Sequence, residues 1–396
     1  MERVCLLVVT GVALLVSATA GSAQPVKTGK QQEALWLHRV IPLPKQIAIP
    51  AHVTLPAAEV GLRLRSGAGD AERQAAAELK ALFDAQTGAA LSGDGFQIHI
   101  GVADAQGRMG AAVVPEVRQL VGLPNSEQAY VIVPVGERKL ILAGLDERGV
   151  YYAARTLQDL LQGAFADGRV TIPLATVVDW PDMAERGEWG GSAAGDIEWM
   201  AARKLNLVEL HAGMKVNAEG RGVATIDQGK ITAGRLRALK VVPIIMHLDY
   251  LHGTGLYERY PGVVGVGNAA RTGAGGDPVA LCFSQPKSTE MLADWMRSLA
   301  AYEGVTDIMV WLSEYHGRCE CEACDAALQQ GVTQHALEVQ AVGKALDILR
   351  EDYPRLNARV LLTQGTYPDN DKVLAATPDN VQVSYYCGGG RERSTY

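Results

Sequence analysis

Glu314 ends the run Ile308-Met309-Val310-Trp311-Leu312-Ser313. Five apolar residues in a row read as a buried strand of a parallel sheet. A carboxyl at the C-terminal end of such a strand is placed as catalytic groups are in a β/α barrel. The chemistry it offers is general acid or base catalysis, with Trp311 or Tyr315 excluding water and raising its proton affinity. Its structural alternative is to cap the next helix or to pair with an arginine. His211, His247 and Asp249 stand at or just past the ends of two other apolar runs. Each alone is more often a satisfied structural residue; their convergence at strand ends is the signal. Arg186 offers two parallel N–H donors to hydroxyls, or else an ion pair with Glu185 or Glu188. Trp189, Tyr250, His252 and Tyr315 offer flat apolar faces, although such rings are more commonly core.

A second group of reactive residues is Cys319-x-Cys321-x-x-Cys324, with Cys282 and Cys387 elsewhere. In an exported protein disulfides are the first expectation. A structural metal on Cys319, Cys321 and Cys324 is the alternative, with Cys282, Cys387 or His316 as fourth ligand. A catalytic thiol ranks below both.

These residues need elements to hold them. The chain has 396 residues and is 48% hydrophobic, enough for a globular protein of more than one domain. A net charge of −7 without a basic stripe argues against nucleic acid as a partner. Residues 1–23 read as a signal peptide: Arg3, an apolar core from Cys5 to Val16, then small residues. That core is too short to span a membrane comfortably, so a periplasmic or extracellular protein is expected. Residues 24–40 read as a linker. From 41 to 175, strands at Val60–Leu64, Phe96–Val102, Gln128–Val135 and Lys139–Gly144 combine with helices at Asp70–Thr87 and Gly149–Gln162 into an α+β domain. Asp70 is the expected cap of the first helix.

From 176 onward strand alternates with helix. Strands are expected within 183–190, 206–211, 241–247, 308–312, 358–364 and 381–386, with helices at 195–205, 287–302 and 334–350 among others. Such alternation predicts a parallel α/β sheet. No glycine-rich phosphate turn follows any strand, and no cofactor is expected.

The segment EQAYVIVPVGERKLILAGLDERGVYYAARTLQDLL, Glu127 to Leu161, resembles the small domain that precedes the barrel in family 20 β-N-acetylhexosaminidases. Related domains precede the barrels of family 84 and family 67 glycosidases. Met200-Ala-Ala-Arg-Lys-Leu-Asn206 followed by His211 is similar to the family motif around the second barrel strand. Asp182 to Gly187 resembles the first strand, whose arginine grips the terminal sugar in that family. The resemblance covers roughly Ile41 to Glu314 and implies a (β/α)8 barrel behind a small α+β domain.

Three differences from the pattern stand out. Family 20 has aspartate immediately before the acid glutamate, and this chain has Ser313. The cysteine cluster is foreign to the family. Six barrel strands are countable where closure needs eight, which reads as a C-terminally incomplete barrel. By resemblance, the expected function is an exported, exo-acting glycoside hydrolase with Glu314 as general acid. His247 or Asp249 would be the second group, and Arg186, His211, Trp189 and Tyr315 would bind the sugar. The alternatives are an inactive glycan-binding protein on the same fold and an α-glucuronidase-like hydrolase. The sequence does not set the oligomeric state.

Overall fold

The computed structural model describes residues 24–190, 193–270, 280–314, 317–363 and 365–385. The signal-peptide stretch 1–23, Tyr315, His316 and Cys387 lie outside the described residues.

The first folded unit is built on a six-stranded mixed sheet. Its strands are β1 (Gln46–Ala48), β2 (Val60–Leu64), β3 (Phe96–Val102), β4 (Tyr130–Pro134), β5 (Lys139–Gly144) and β6 (Thr176–Asp179), in the order β1-β6-β4-β5-β3-β2. Alternation gives the sheet two apolar faces. Tyr130 and Ile132 of β4 join the core under the helices Asp70–Thr87 and Glu147–Leu160. Val131 and Val133 face a smaller cluster with Met109, Val117 and Leu120. Gly69, not Asp70, caps the first of these helices, and the Glu72 carboxylate accepts the Gly69 N–H at 2.6 Å.

Residues 24–40, expected as a linker, are built into this unit instead. Val26–Lys27 pairs antiparallel with the strand Ala51–Pro56. Lys30–Leu37 is a helix, and its Trp36 is buried with its ring edge against His52, 5.5 Å between centroids. The polar composition hid two core anchors, Trp36 and Val40.

The second unit is a curled sheet of six strands, all parallel: β7 (Gly187–Trp189), β8 (Leu207–His211), β9 (Lys240–Ile245), β10 (Asp307–Trp311), β11 (Asn357–Leu362) and β12 (Val381–Tyr385), in chain order. Helices α1 (Ile197–Ala202), α2 (Gln228–Leu236), α3 (Pro286–Ala300), α4 (Glu322–Gln329), α5 (Gln334–Leu349) and α6 (Asn370–Ala376) fall between the strands. Ile308, Val310, Ala358 and Val360 point outward onto α3 and α5. Val242, Ile244, Met309 and Leu361 line the inner face with Trp189, Leu207 and Trp311. The architecture is a half-barrel of the expected kind.

At the N-terminal end of the sheet, Arg359 lies between Glu185 and Asp307. Its guanidinium donates to Glu185 Oε1 and Oε2 at 2.7 and 2.6 Å and to Asp307 Oδ1 at 2.6 Å. Lys240 joins both carboxylates, at 3.1 and 3.0 Å. Such a charged layer is stable only because every member is paired.

Candidate active site

The C-terminal ends of β7 to β10 bring together most of the residues singled out above. Trp189 ends β7, His211 ends β8 and Trp311 ends β10. Trp189 packs edge-on against Trp311 and His211, at 5.1 and 5.5 Å between centroids. His211 stacks on Trp311 at 6.0 Å, and His247 tilts against Trp311 at 4.9 Å. Tyr250 stacks on His247 at 5.0 Å and meets His252 edge-on at 4.0 Å. Burial, and then the neighbouring His247, hold the His211 imidazole below its ordinary proton affinity.

Glu314 leaves β10 in a backbone held from three sides. The Glu314 N–H donates to Asp249 Oδ2 at 2.9 Å. The Ser313 N–H donates to Glu338 Oε2 at 2.9 Å, and the Ser313 hydroxyl donates to Glu338 Oε1 at 2.6 Å. His335 Nε2 lies 3.0 Å from the Ser313 carbonyl, with Nδ1 3.1 Å from Asp369 Oδ2. Below the turn, Gly365 is in such close contact that a Cβ there would lie 2.3 Å from Glu314 Cα. The backbone is fixed, while the buried Glu314 Oε1 has no hydrogen-bond partner among the described residues. An unpaired buried carboxyl oxygen costs stability in a resting protein.

Three expectations change here. Arg186 precedes β7 and so lies at the opposite end of the sheet. Its guanidinium donates to Gln128 Oε1 at 3.0 Å, to the Met183 carbonyl at 2.7 Å and to the Lys204 carbonyl at 2.9 Å. It ties the two units together instead of reaching the rim, because β7 spans only three residues and begins after it. Asp249 is wholly buried, with Oδ1 2.5 Å from His247 Nδ1 and Oδ2 on the Glu314 N–H. Those two contacts suit it to positioning Glu314 and His247. The Cys282, Cys319, Cys321 and Cys324 thiols are unbridged, so the disulfide expectation is not met at these four. Tyr315 lies outside the described residues.

Sequence reading missed Glu338, His335, Asp369 and Glu209. Glu338 is buried, which pushes its carboxyl above the ordinary range, against the pull of His335. Its signal was present: Glu338 sits one helical turn after Gln334 and His335 on the buried face of α5. Glu209 shares the inner face of β8 with Leu207 and His211, and burial pushes its carboxyl up as well. Period-two alternation from His211 would have found it.

A small α+β domain leads into a curled parallel half-barrel with an aromatic and carboxylate rim. Residues 37–180 match the sequence model of glycosyl hydrolase family 20, domain 2. The fold is similar to the family 20 exo-β-N-acetylglucosaminidase from Vibrio harveyi, at 15% identity and TM-score 0.60, over 88% of this chain and 57% of that one. It is also similar to the β-N-acetylhexosaminidase from Bacteroides fragilis, at 16% identity and TM-score 0.57, over 89% and 71%. The family 20 β-N-acetylhexosaminidase from Streptomyces coelicolor gives 16%, 0.57, 91% and 71%. The chain is thus family 20-like, by sequence in its small domain and by fold in both units. It spans little more than half the length of the Vibrio harveyi enzyme.

Proposed function

We propose that the protein is an exported glycoside hydrolase that removes terminal sugars, with Glu314 as general acid. The observation that carries this reading is the held backbone and unpaired Oε1 of Glu314 at the end of the fourth parallel strand. A protonated Glu314 gives its proton to the glycosidic oxygen as the bond to the anomeric carbon breaks. The leaving group departs as a neutral alcohol, and water completes the anomeric centre. With Asp249 holding Nδ1, His247 Nε2 is the group best suited to take the proton of that water. The ring of Trp189 provides an apolar wall for a sugar face, next to His211. The hydrolase activities printed for the similar structures support the substrate class, a terminal N-acetylhexosamine being the first to try.

The test is a panel of aryl glycosides, β-N-acetylhexosaminides and α-glucuronides included, assayed with the wild type and with Glu314→Gln. At least one substrate is expected to turn over, and Glu314→Gln is expected to lose about 10²–10⁴-fold in kcat/KM. The loss should shrink for a dinitrophenyl leaving group, which departs without a proton. Full rate in Glu314→Gln would end the assignment of the acid.

A second reading is a glycan-binding protein without turnover. Ser313 favours it: it stands where the family 20 pattern has aspartate, and its hydroxyl is buried on Glu338. No carboxylate at that position can orient an acetamido group. The binding reading expects a sugar to raise the melting temperature while every aryl glycoside stays intact.

A further inference from the structure

The sulfurs of Cys282, Cys319, Cys321 and Cys324 all lie within 4.8 Å of one another. Cys282 Sγ is 3.8 Å from Cys321 Sγ and 4.0 Å from Cys324 Sγ. A zinc ion bound by four thiolates at about 2.3 Å sets its sulfurs about 3.8 Å apart along each edge of the tetrahedron. Two disulfides need only two close pairs, and nothing in that chemistry draws all four sulfurs to one point. A purely apolar packing of thiols has no reason to converge either. We propose that these four cysteines form a closed tetrathiolate site for one zinc ion, which braces the loop leading out of Glu314.

The surroundings fit a structural site. Cys282, Cys319 and Cys324 are buried and Cys321 is partly exposed, among Ala269, Ala280 and Leu337. Four protein ligands leave no open position for water or substrate, which separates a structural from a catalytic zinc. Donors face the sulfurs as thiolates require: the Ser284 hydroxyl lies 3.1 Å from Cys324 Sγ, and the Val266 N–H donates to Cys319 Sγ at 3.5 Å. Cys321 caps the N-terminus of α4, where the helix dipole favours a thiolate. The backbone is shaped to the cluster as well. A Cβ on Gly265 would lie 3.1 Å from Cys319 Cβ and 2.4 Å from Ala269 Cβ, so only glycine lets that strand of loop close over the site.

The ion would join three segments already drawn together by the Gln334 side chain, which accepts from the Cys319 N–H and donates to the Leu281 carbonyl: the approach to α3 at Cys282, the stretch before α4 at Cys319, and the start of α4 at Cys321 and Cys324. Binding exchanges each thiol proton lost for a Zn–S bond, with no change of oxidation state.

The test begins with the full chain purified without chelator and without an immobilised-metal column, followed by elemental mass analysis. About one zinc per chain is expected, together with the visible ligand-field bands of tetrahedral tetrathiolate cobalt after exchange. Cys321→Ser replaces the ligand least buried in the core, so it should fold and bind zinc at least about 10-fold more weakly. Cys387→Ser is the control and should retain the ion. Mass spectrometry of unreduced peptides covers the rival chemistry. Disulfide-linked peptides among the four cysteines, iron in place of zinc, or a chain with four free thiols and no stoichiometric metal would each overturn the site. None of these readouts depends on hydrolase activity.

Discussion

Gly365 and Glu314 touch where no side chain has room. A Cβ at 365 would meet Glu314 Cα at 2.3 Å and its carbonyl oxygen at 2.5 Å, both backbone atoms that cannot rotate away. Gly365→Ala should therefore move the Glu314 backbone and strain its hydrogen bond to Asp249. The expected cost is about 1–3 kcal/mol in urea unfolding, with turnover falling at least as far as in a comparably destabilised variant outside the rim. An alanine variant as stable as wild type would show that the contact relaxes freely. The visibility of the rim follows the same local logic. Glu314 and His247 stand out because each follows an apolar run that stops at a polar residue, while the run before His211 already holds Glu209. Glu338 and Gly365 were not legible, because their roles come from packing against Ser313 and Glu314 across sequence separations that one chain does not reveal. Arg186 was assigned to the wrong end because a three-residue strand gives too little pattern to tell its start from its finish.

At the scale of elements, β10 and β11 are joined at their base by charge and along their outer faces by apolar packing. Arg359 draws Glu185 below the ordinary carboxylate range; Asp307, although burial opposes it, is held low by the same guanidinium. A carboxyl whose folded proton affinity is depressed contributes stability that is full above the unfolded value. That contribution is lost as pH falls through the folded one. Wild-type melting temperature should thus decline on acidification below about pH 4, and Arg359→Met should lose most of that dependence. At neutral pH the same substitution leaves Asp307 buried without its main partner, at an expected cost of about 3–5 kcal/mol. A change under about 1 kcal/mol would mean that Lys240 alone suffices. β9 and β10 could be read from the sequence because a strand buried on both faces is apolar almost throughout, whereas β7 and β12 are largely exposed and mixed. The interior charges were invisible for the complementary reason: in β11 a single arginine interrupts an apolar run and looks like solvent exposure.

Among the described residues the two units share a polar and apolar seam. Tyr130, in the sheet of the small domain, accepts a hydrogen bond from Lys204 Nζ at 2.8 Å and donates to Asp179 Oδ2 at 2.9 Å. Lys204 lies in the turn before β8, is buried, and is pushed down by that burial to about 8. Arg186 and Asn206 reach Gln128 from the barrel side. The apolar core of the small domain also takes in Ala201 of α1. Calorimetry should therefore show a single unfolding transition, and Tyr130→Phe, which leaves the Lys204 ammonium with Asp179 alone at 3.6 Å, should lower it as one peak by about 1–3 kcal/mol. Two separate peaks would show that the seam is only a contact. The change of period at 176 comes before the end of the first unit, since Thr176–Asp179 still pairs with β4 in the small-domain sheet. The seam was not legible, since Lys204 and Asn206 read as part of a strand motif. Amide exchange gives this seam a further meaning. If Tyr130 and Lys204 part only in global unfolding, the slowest protons of β4 and β8 must report one and the same opening free energy, however far apart the two sheets lie.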